Sequence, residues 1–118
     1  MKSEASMGTV VVTGGSRGIG AAACRALAER GHAVAINYTR DAAAAEALAG
    51  EIRARGAMAL AVQADVADAA QVAALFARVD RELPPLAGLV NNAGVVDLPA
   101  RVDEMDAARL QRMFAINV

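Results

Sequence analysis

Four glycines, Gly14, Gly15, Gly18 and Gly20, follow the β-branched run TVVVT at Thr9 to Thr13 and open into an apolar helical pattern from Ile19. Glycine removes the side chain where a backbone must turn tightly or where a ligand must come close to it. A helix that starts after such a turn offers unpaired N–H groups and the positive end of its dipole, a combination that suits a pyrophosphate. The spacing is Gly14-x-x-x-Gly18-x-Gly20, which is not the G-x-G-x-x-G of the common dinucleotide fingerprint. Many strand-to-helix turns carry two glycines and bind nothing, so the turn alone leaves both readings open.

Holding such a turn takes a strand before it and a helix after it, and the chain supplies both in alternation. Val10, Val11 and Val12 lack polar alternation, as in a strand buried on both faces of a parallel sheet. Ile19 to Arg30 is an alanine-rich helix with Ile19, Ala22, Ala23, Ala26 and Leu27 as its expected apolar stripe and Gly31 as its stop. Ala33 to Tyr38 is a second strand. Thr39 or Asp41 caps a second helix, where Ala45, Leu48, Ala49 and Ile52 recur at helical spacing before Gly56. Ala57 to Val66 reads as the third strand, and Asp68 caps a third helix with Val72, Leu75, Phe76 and Val79 on one face, ended by Pro84-Pro85. Ala87 to Val90 is the fourth strand and runs into Asn91-Asn92-Ala93-Gly94. After a loop at 95–102, Asp103 opens a last helix with the stripe Leu110, Met113 and Phe114, and Asn117 lies on that same face.

This βα alternation predicts an α/β fold, the first half of a doubly wound parallel sheet with strand order 3-2-1-4. Ligands in such sheets bind at the carboxyl ends of the strands where the order reverses. Gly14 to Gly20, Tyr38 to Arg40, Asp65-Val66 and Asn91 to Gly94 should therefore share one edge despite their separation in sequence.

The 118 residues are sized for one domain, taken as 1–118. They are 56% hydrophobic but only 3% aromatic, so the core has to be built from small and aliphatic side chains. A formal charge of −1 gives no reason to expect a nucleic-acid or membrane partner. No apolar run approaches the roughly 18–20 residues that span a bilayer, and the first seven residues lack the apolar segment of a signal peptide. Cys24 is the single cysteine, which excludes an internal disulfide, suits a reducing cytoplasm and reads as a buried helix residue. His32 reads as a surface residue after a helix stop. No metal site is expected.

Thr13-Gly14-Gly15-Ser16-Arg17-Gly18-Ile19-Gly20, then Asp65-Val66, then Asn91-Asn92-Ala93-Gly94, then Asn117-Val118, resembles the N-terminal half of the short-chain dehydrogenase/reductase family. The likeness covers the chain after residue 7, and it is similar above all to the 3-oxoacyl-carrier-protein reductase and glucose 1-dehydrogenase-like members. It implies a Rossmann-type sheet and an NAD(P)-dependent oxidoreductase acting on a small carbonyl or alcohol substrate, as a homodimer or homotetramer at full length. It implies that Gly14, Ser16, Arg17, Gly18, Ile19 and Gly20 line the adenosine and pyrophosphate. Asp65 would accept from the adenine amino group, Val66 would pack on the ring, and Asn92, Ala93 and Gly94 would lie beside the ribose. Asn117 would hold a water in the proton relay.

Plainer readings stand beside these. Asp65 also suits a solvent-facing acid that caps the turn before the third helix, and Asn91-Asn92 a turn that ties neighbouring strands together. Asn117 also suits an ordinary polar position near a frayed end.

Cofactor choice follows from charge. An acid at the end of the second strand accepts from both ribose hydroxyls of NAD and repels a 2′-phosphate. That position is Tyr38, followed by Thr39 and Arg40, with no carboxylate among them. Arg17 and Arg40 can converge on a dianionic phosphate, each charged hydrogen bond worth about 1.5–3 kcal/mol, so NADP(H) is expected over NAD(H). Asp41 opposes this, because it can turn inward and compete, and Arg40 and Asp41 also suit plain solvated loop charges.

The family's chemistry needs a Ser and a Tyr-x-x-x-Lys, yet the one tyrosine is Tyr38 and the one lysine is Lys2. These residues alone are therefore expected to be inactive. Either they belong to a chain of about 250 residues or they are a catalytically silent remnant, and the first is favoured, since a bare fourth strand and an unpacked Leu110, Met113 and Phe114 stripe would make a poorly soluble or obligately oligomeric protein. A non-catalytic dinucleotide-binding or oligomerisation module is the alternative. An S-adenosylmethionine methyltransferase is a third reading, although it would want an acid at the end of the second strand.

Overall fold

In the computed structural model residues 7–92 are described, and they run β1 (Thr9–Thr13), α1 (Gly18–Glu29), β2 (Ala33–Tyr38), α2 (Ala42–Ala54), β3 (Ala59–Gln63), α3 (Ala69–Glu82), β4 (Leu86–Asn91). All neighbouring strands pair in parallel, in the order β3-β2-β1-β4. This is the Rossmann-like order read from the βα alternation. The last helix from Asp103, with Leu110, Met113 and Phe114, lies outside the described residues.

Strand alternation splits the core into two layers. Val10, Val12, Val34, Ile36, Ala59 and Ala61 face the α1 and α2 side, where Ala21, Cys24, Ala45, Leu48, Ala49 and Ile52 meet them. Val11, Ala33, Ala35, Leu60, Val62 and Leu89 face the other side and pack on Val72, Leu75, Phe76 and Val79 of α3. The expected stripes of α2 and α3 are thus the buried ones. Asp41 caps α2 by accepting from Ala44 N–H at 3.0 Å, and Asp68 caps α3 by accepting from Ala70 and Gln71 N–H.

Two expectations are corrected. The α1 stripe is rotated: Gly20, Ala21 and Cys24 are buried, with Leu27 and Ala28 against them, whereas Ala22 and Ala26 are exposed and Ile19 is 81% exposed. The smallest side chains face the sheet because α1 lies close over the turn. The third strand is Ala59–Gln63 rather than Ala57 to Val66, since residue-for-residue pairing with β2 runs only from Ala59 to Gln63.

β4 docks through its approach as well as its ladder. Thr9 Oγ1 donates to the Pro84 carbonyl at 2.7 Å, and Thr9 N–H donates to the Pro85 carbonyl at 2.8 Å. That pairing accounts for a threonine with no exposure in the core. At the opposite edge, Arg53 Nε donates to the Ala59 carbonyl at 2.9 Å and covers part of β3. No helix among the described residues is long and apolar enough to cross a membrane.

Candidate functional site

The glycine turn is held from three directions. Gly14 adopts φ 60° and Gly18 φ 54°, both in the left-handed region that glycine enters without a Cβ penalty. Gly14 N–H donates to Asn37 Oδ1 at 3.3 Å, and the Gly14 carbonyl accepts from Asn92 Nδ2 at 3.0 Å. Gly15 N–H donates to the Asn37 carbonyl at 3.0 Å. Gly20 closes the third side: a Cβ there would stand 2.7 Å from Asn92 Nδ2 and 2.9 Å from Gly15 Cα, so only glycine lets α1 pass this close.

The start of α1 differs from the other two helices. Arg17 occupies its N-cap without a side-chain hydrogen bond to the helix, whereas Asp41 and Asp68 cap α2 and α3 with their carboxylates. An uncapped N-terminus leaves N–H groups and the dipole's positive end available to an outside anion. Gly18 has open space around it, and Ile19 projects outward beside it. Behind the turn, Cys24 Sγ lies 3.8 Å from the Gly15 carbonyl, and burial pushes its thiol up to about 12, away from the reactive thiolate.

The strand ends bring the other candidates to the same edge. Thr13 pairs in register with Asn91, and its Oγ1 lies 3.2 Å from Asn91 Oδ1. Asn91 and Asn92 therefore tie β4 to β1 and its turn, the plainer role weighed for them. Asp65 is exposed and its Oδ1 accepts from Ala67 N–H at 2.9 Å, which is the turn-capping role, while Val66 is buried. Tyr38 is half-buried, Thr39 and Arg40 are exposed, and the Thr39 carbonyl accepts from Gln63 Nε2 at 3.1 Å. Ser16 is half-buried within the turn. Ala93, Gly94 and Asn117 lie outside the described residues.

Arg17 is engaged by the acid expected to compete for it. Its guanidinium forms an ion pair with Asp41, with Nε donating to Oδ2 at 3.0 Å. The Ala44 N–H and then Arg17 hold the Asp41 carboxyl below the ordinary carboxylate range.

Asn37 is the residue that sequence reasoning passed over. It is 1% exposed, and its amide joins three strand ends. A signal was available: an amide in the otherwise apolar AVAINY run has to find partners, because an unpaired one costs about 1–3 kcal/mol.

Comparison with known proteins agrees with this geometry. The family model described as short chain dehydrogenase matches residues 8–118. The uncharacterized oxidoreductase YgfF of Escherichia coli is 43% identical over 75 residues, covering 64% of this chain and 30% of that protein. The 3-oxoacyl-acyl-carrier-protein reductase of Staphylococcus aureus is 46% identical over 71 residues, covering 60% of this chain and 29% of that one. Among solved structures, a blue fluorescent protein from a metagenomic library in complex with NADPH superposes with a TM-score of 0.74 at 34% identity, covering 98% of this chain and 53% of that one. A Serratia marcescens short-chain dehydrogenase/reductase mutant gives 0.72 at 40% identity, covering 98% and 47%. The chain thus spans about half the length of these solved structures, and the matched part spans less than a third of these curated relatives.

Proposed function

The chain belongs to the short-chain dehydrogenase family, and from that premise we propose that it forms the cofactor-binding part of an NADP(H)-dependent carbonyl reductase or alcohol dehydrogenase. The observation that carries this reading is the start of α1, an uncapped N-terminus under a glycine turn with Gly14 and Gly18 at positive φ. These residues fit a pyrophosphate: Gly18 is open to an approaching ligand, Gly14 and Gly15 are held from behind by Asn37, and the N-terminus of α1 has no side-chain cap.

In this reading Gly14, Ser16, Arg17, Gly18, Ile19 and Gly20 take the pyrophosphate and adenosine. Asp65 accepts from the adenine amino group through the oxygen its turn leaves over, Val66 backs the ring, and Asn92, Ala93 and Gly94 flank the ribose. Asn117 orders a water for proton transfer. The bound dinucleotide would supply or accept the hydride at a carbonyl carbon. The proton at the carbonyl oxygen needs a donor outside these 118 residues, since they hold one tyrosine, Tyr38, and one lysine, Lys2. We accordingly take 1–118 as part of a longer single domain that assembles as a homodimer or homotetramer in the cytoplasm.

NADP(H) is preferred over NAD(H) because β2 ends in Tyr38-Thr39-Arg40, without the carboxylate that would repel a 2′-phosphate, and Arg17 lies across from it. Fluorescence titration of the full-length protein tests this. NADPH should bind at least about tenfold more tightly than NADH, and Arg17→Ala should remove most of the difference. Tighter NADH binding, or an unchanged NADPH affinity in Arg17→Ala, overturns the preference. A second reading, a non-catalytic dinucleotide-binding or oligomerisation module, predicts cofactor binding by the full-length protein without NADPH oxidation in the presence of ketone substrates.

A further inference from the structure

We propose that Asn37 is a positioning residue that fixes the glycine turn relative to the Asp65-Val66 edge, and so sets the span between the diphosphate and adenine ends of the site. The inference rests on the dinucleotide reading above. Its basis is one buried carboxamide working in two directions. Oδ1 accepts from Gly14 N–H at 3.3 Å, and Nδ2 donates to the Ala64 carbonyl at 3.0 Å and the Val62 carbonyl at 3.4 Å. The Asn37 backbone adds Gly15 N–H on its carbonyl at 3.0 Å. One side chain thus touches the turn that follows β1 and the exit of β3, from a position at the end of β2.

An amide suits this task where other side chains do not. The position needs an acceptor facing one way and two donors facing the other, on a short stem with little rotational freedom. A carboxylate would set its charge against two carbonyl oxygens, and an aliphatic residue would leave Gly14 N–H without its acceptor in a half-buried place. The two sides do not depend on Asn37 equally. Ala64 N–H also donates to the Tyr38 carbonyl at 3.0 Å, so the β3 exit keeps an anchor when the amide is lost. Gly14 N–H keeps none among the described contacts, so the turn is the side that shifts.

ADP and adenosine separate the two ends, since only ADP carries a diphosphate to the turn. Both are titrated by competition against NADPH in the full-length protein and in Asn37→Ala, a residue that β2 already carries on this face at Ala33 and Ala35. The expected result is about a tenfold loss of ADP affinity, with adenosine affinity changed less than about twofold. A merely structural role would weaken both ligands together with Tm. An unchanged ratio of ADP to adenosine affinity in the folded variant overturns the proposal. If Asn37→Ala does not fold, Asn37→Ser takes its place: its hydroxyl can serve one side but not both, and the same ratio decides. A wild-type protein that binds neither ADP nor NADPH overturns the dinucleotide reading itself, which a retained ratio in a binding protein does not.

Discussion

At the level of single residues, the site is organised by carboxylates and carboxamides whose partners differ. Asp41 both caps α2 and holds Arg17, so its charge draws the guanidinium away from any phosphate. Asp41→Asn keeps an oxygen for Ala44 N–H, as asparagine caps about as well as aspartate, and releases the arginine. NADPH affinity should rise about fivefold and NADH affinity change less than about twofold, measured by the same titration. A fall in NADPH affinity would mean that Asp41 orients Arg17 rather than competing with the ligand. The acid dependence has a defined sign. Because the folded pKa of Asp41 is depressed below its ordinary 3.8, its contribution is complete above that value and is lost as pH falls through the depressed one. Wild-type Tm should therefore drop more steeply than that of Asp41→Asn when pH is lowered below about 4.

At the level of elements, the glycines divide by what surrounds them. A Cβ at Gly20 would press on Gly15 and Asn92, so Gly20→Ala should cost about 1–3 kcal/mol and abolish cofactor binding, as read by thermal melts and NADPH titration. Gly50 lies inside α2 with nothing within 4 Å of an added Cβ, so Gly50→Ala should stabilise by about 0.5–1 kcal/mol and leave binding alone. The legibility of the helices follows the same logic. α2 and α3 could be read to the residue because Leu48, Ile52, Leu75 and Phe76 are large enough to mark one face. α1 could not, since alanines occupy every side and, of its two large apolar residues, Ile19 belongs to the open edge and Leu27 is only partly buried against the core. Pattern reading assigns a large apolar side chain to the interior, and here the close approach of helix to turn admits only small ones.

Across the whole molecule, the strand order was readable because uninterrupted valines and alternating helices admit few topologies. The hydrogen bonds across the site were not. Asn37 to Gly14, Asn92 to Gly14 and Thr9 to Pro84 join residues that no local pattern relates. The tightness of the two core layers has its own test. Cys24 has no exposed surface and a thiol raised to about 12, so thiol reagents should label it only as the fold opens, and Cys24→Ala should abolish that signal. Because the unfolded thiol ionises near 9.0 while the folded one stays neutral, stability should fall as pH rises above about 9. Rapid labelling of the native protein at neutral pH would contradict both statements.

The clamp on Gly14 also has a timetable. Asn37 follows Gly14 by 23 residues and Asn92 by 78. At about 5–20 residues per second, a ribosome supplies the first support within about 1–5 s and the second only after about 4–16 s. The turn is thus made early in translation and completed late, with one amide in hand and the other still unwritten. A ligand that needs the finished turn cannot stabilise the nascent chain during that interval, so the early βαβ segment has to remain soluble on its own packing until β4 arrives.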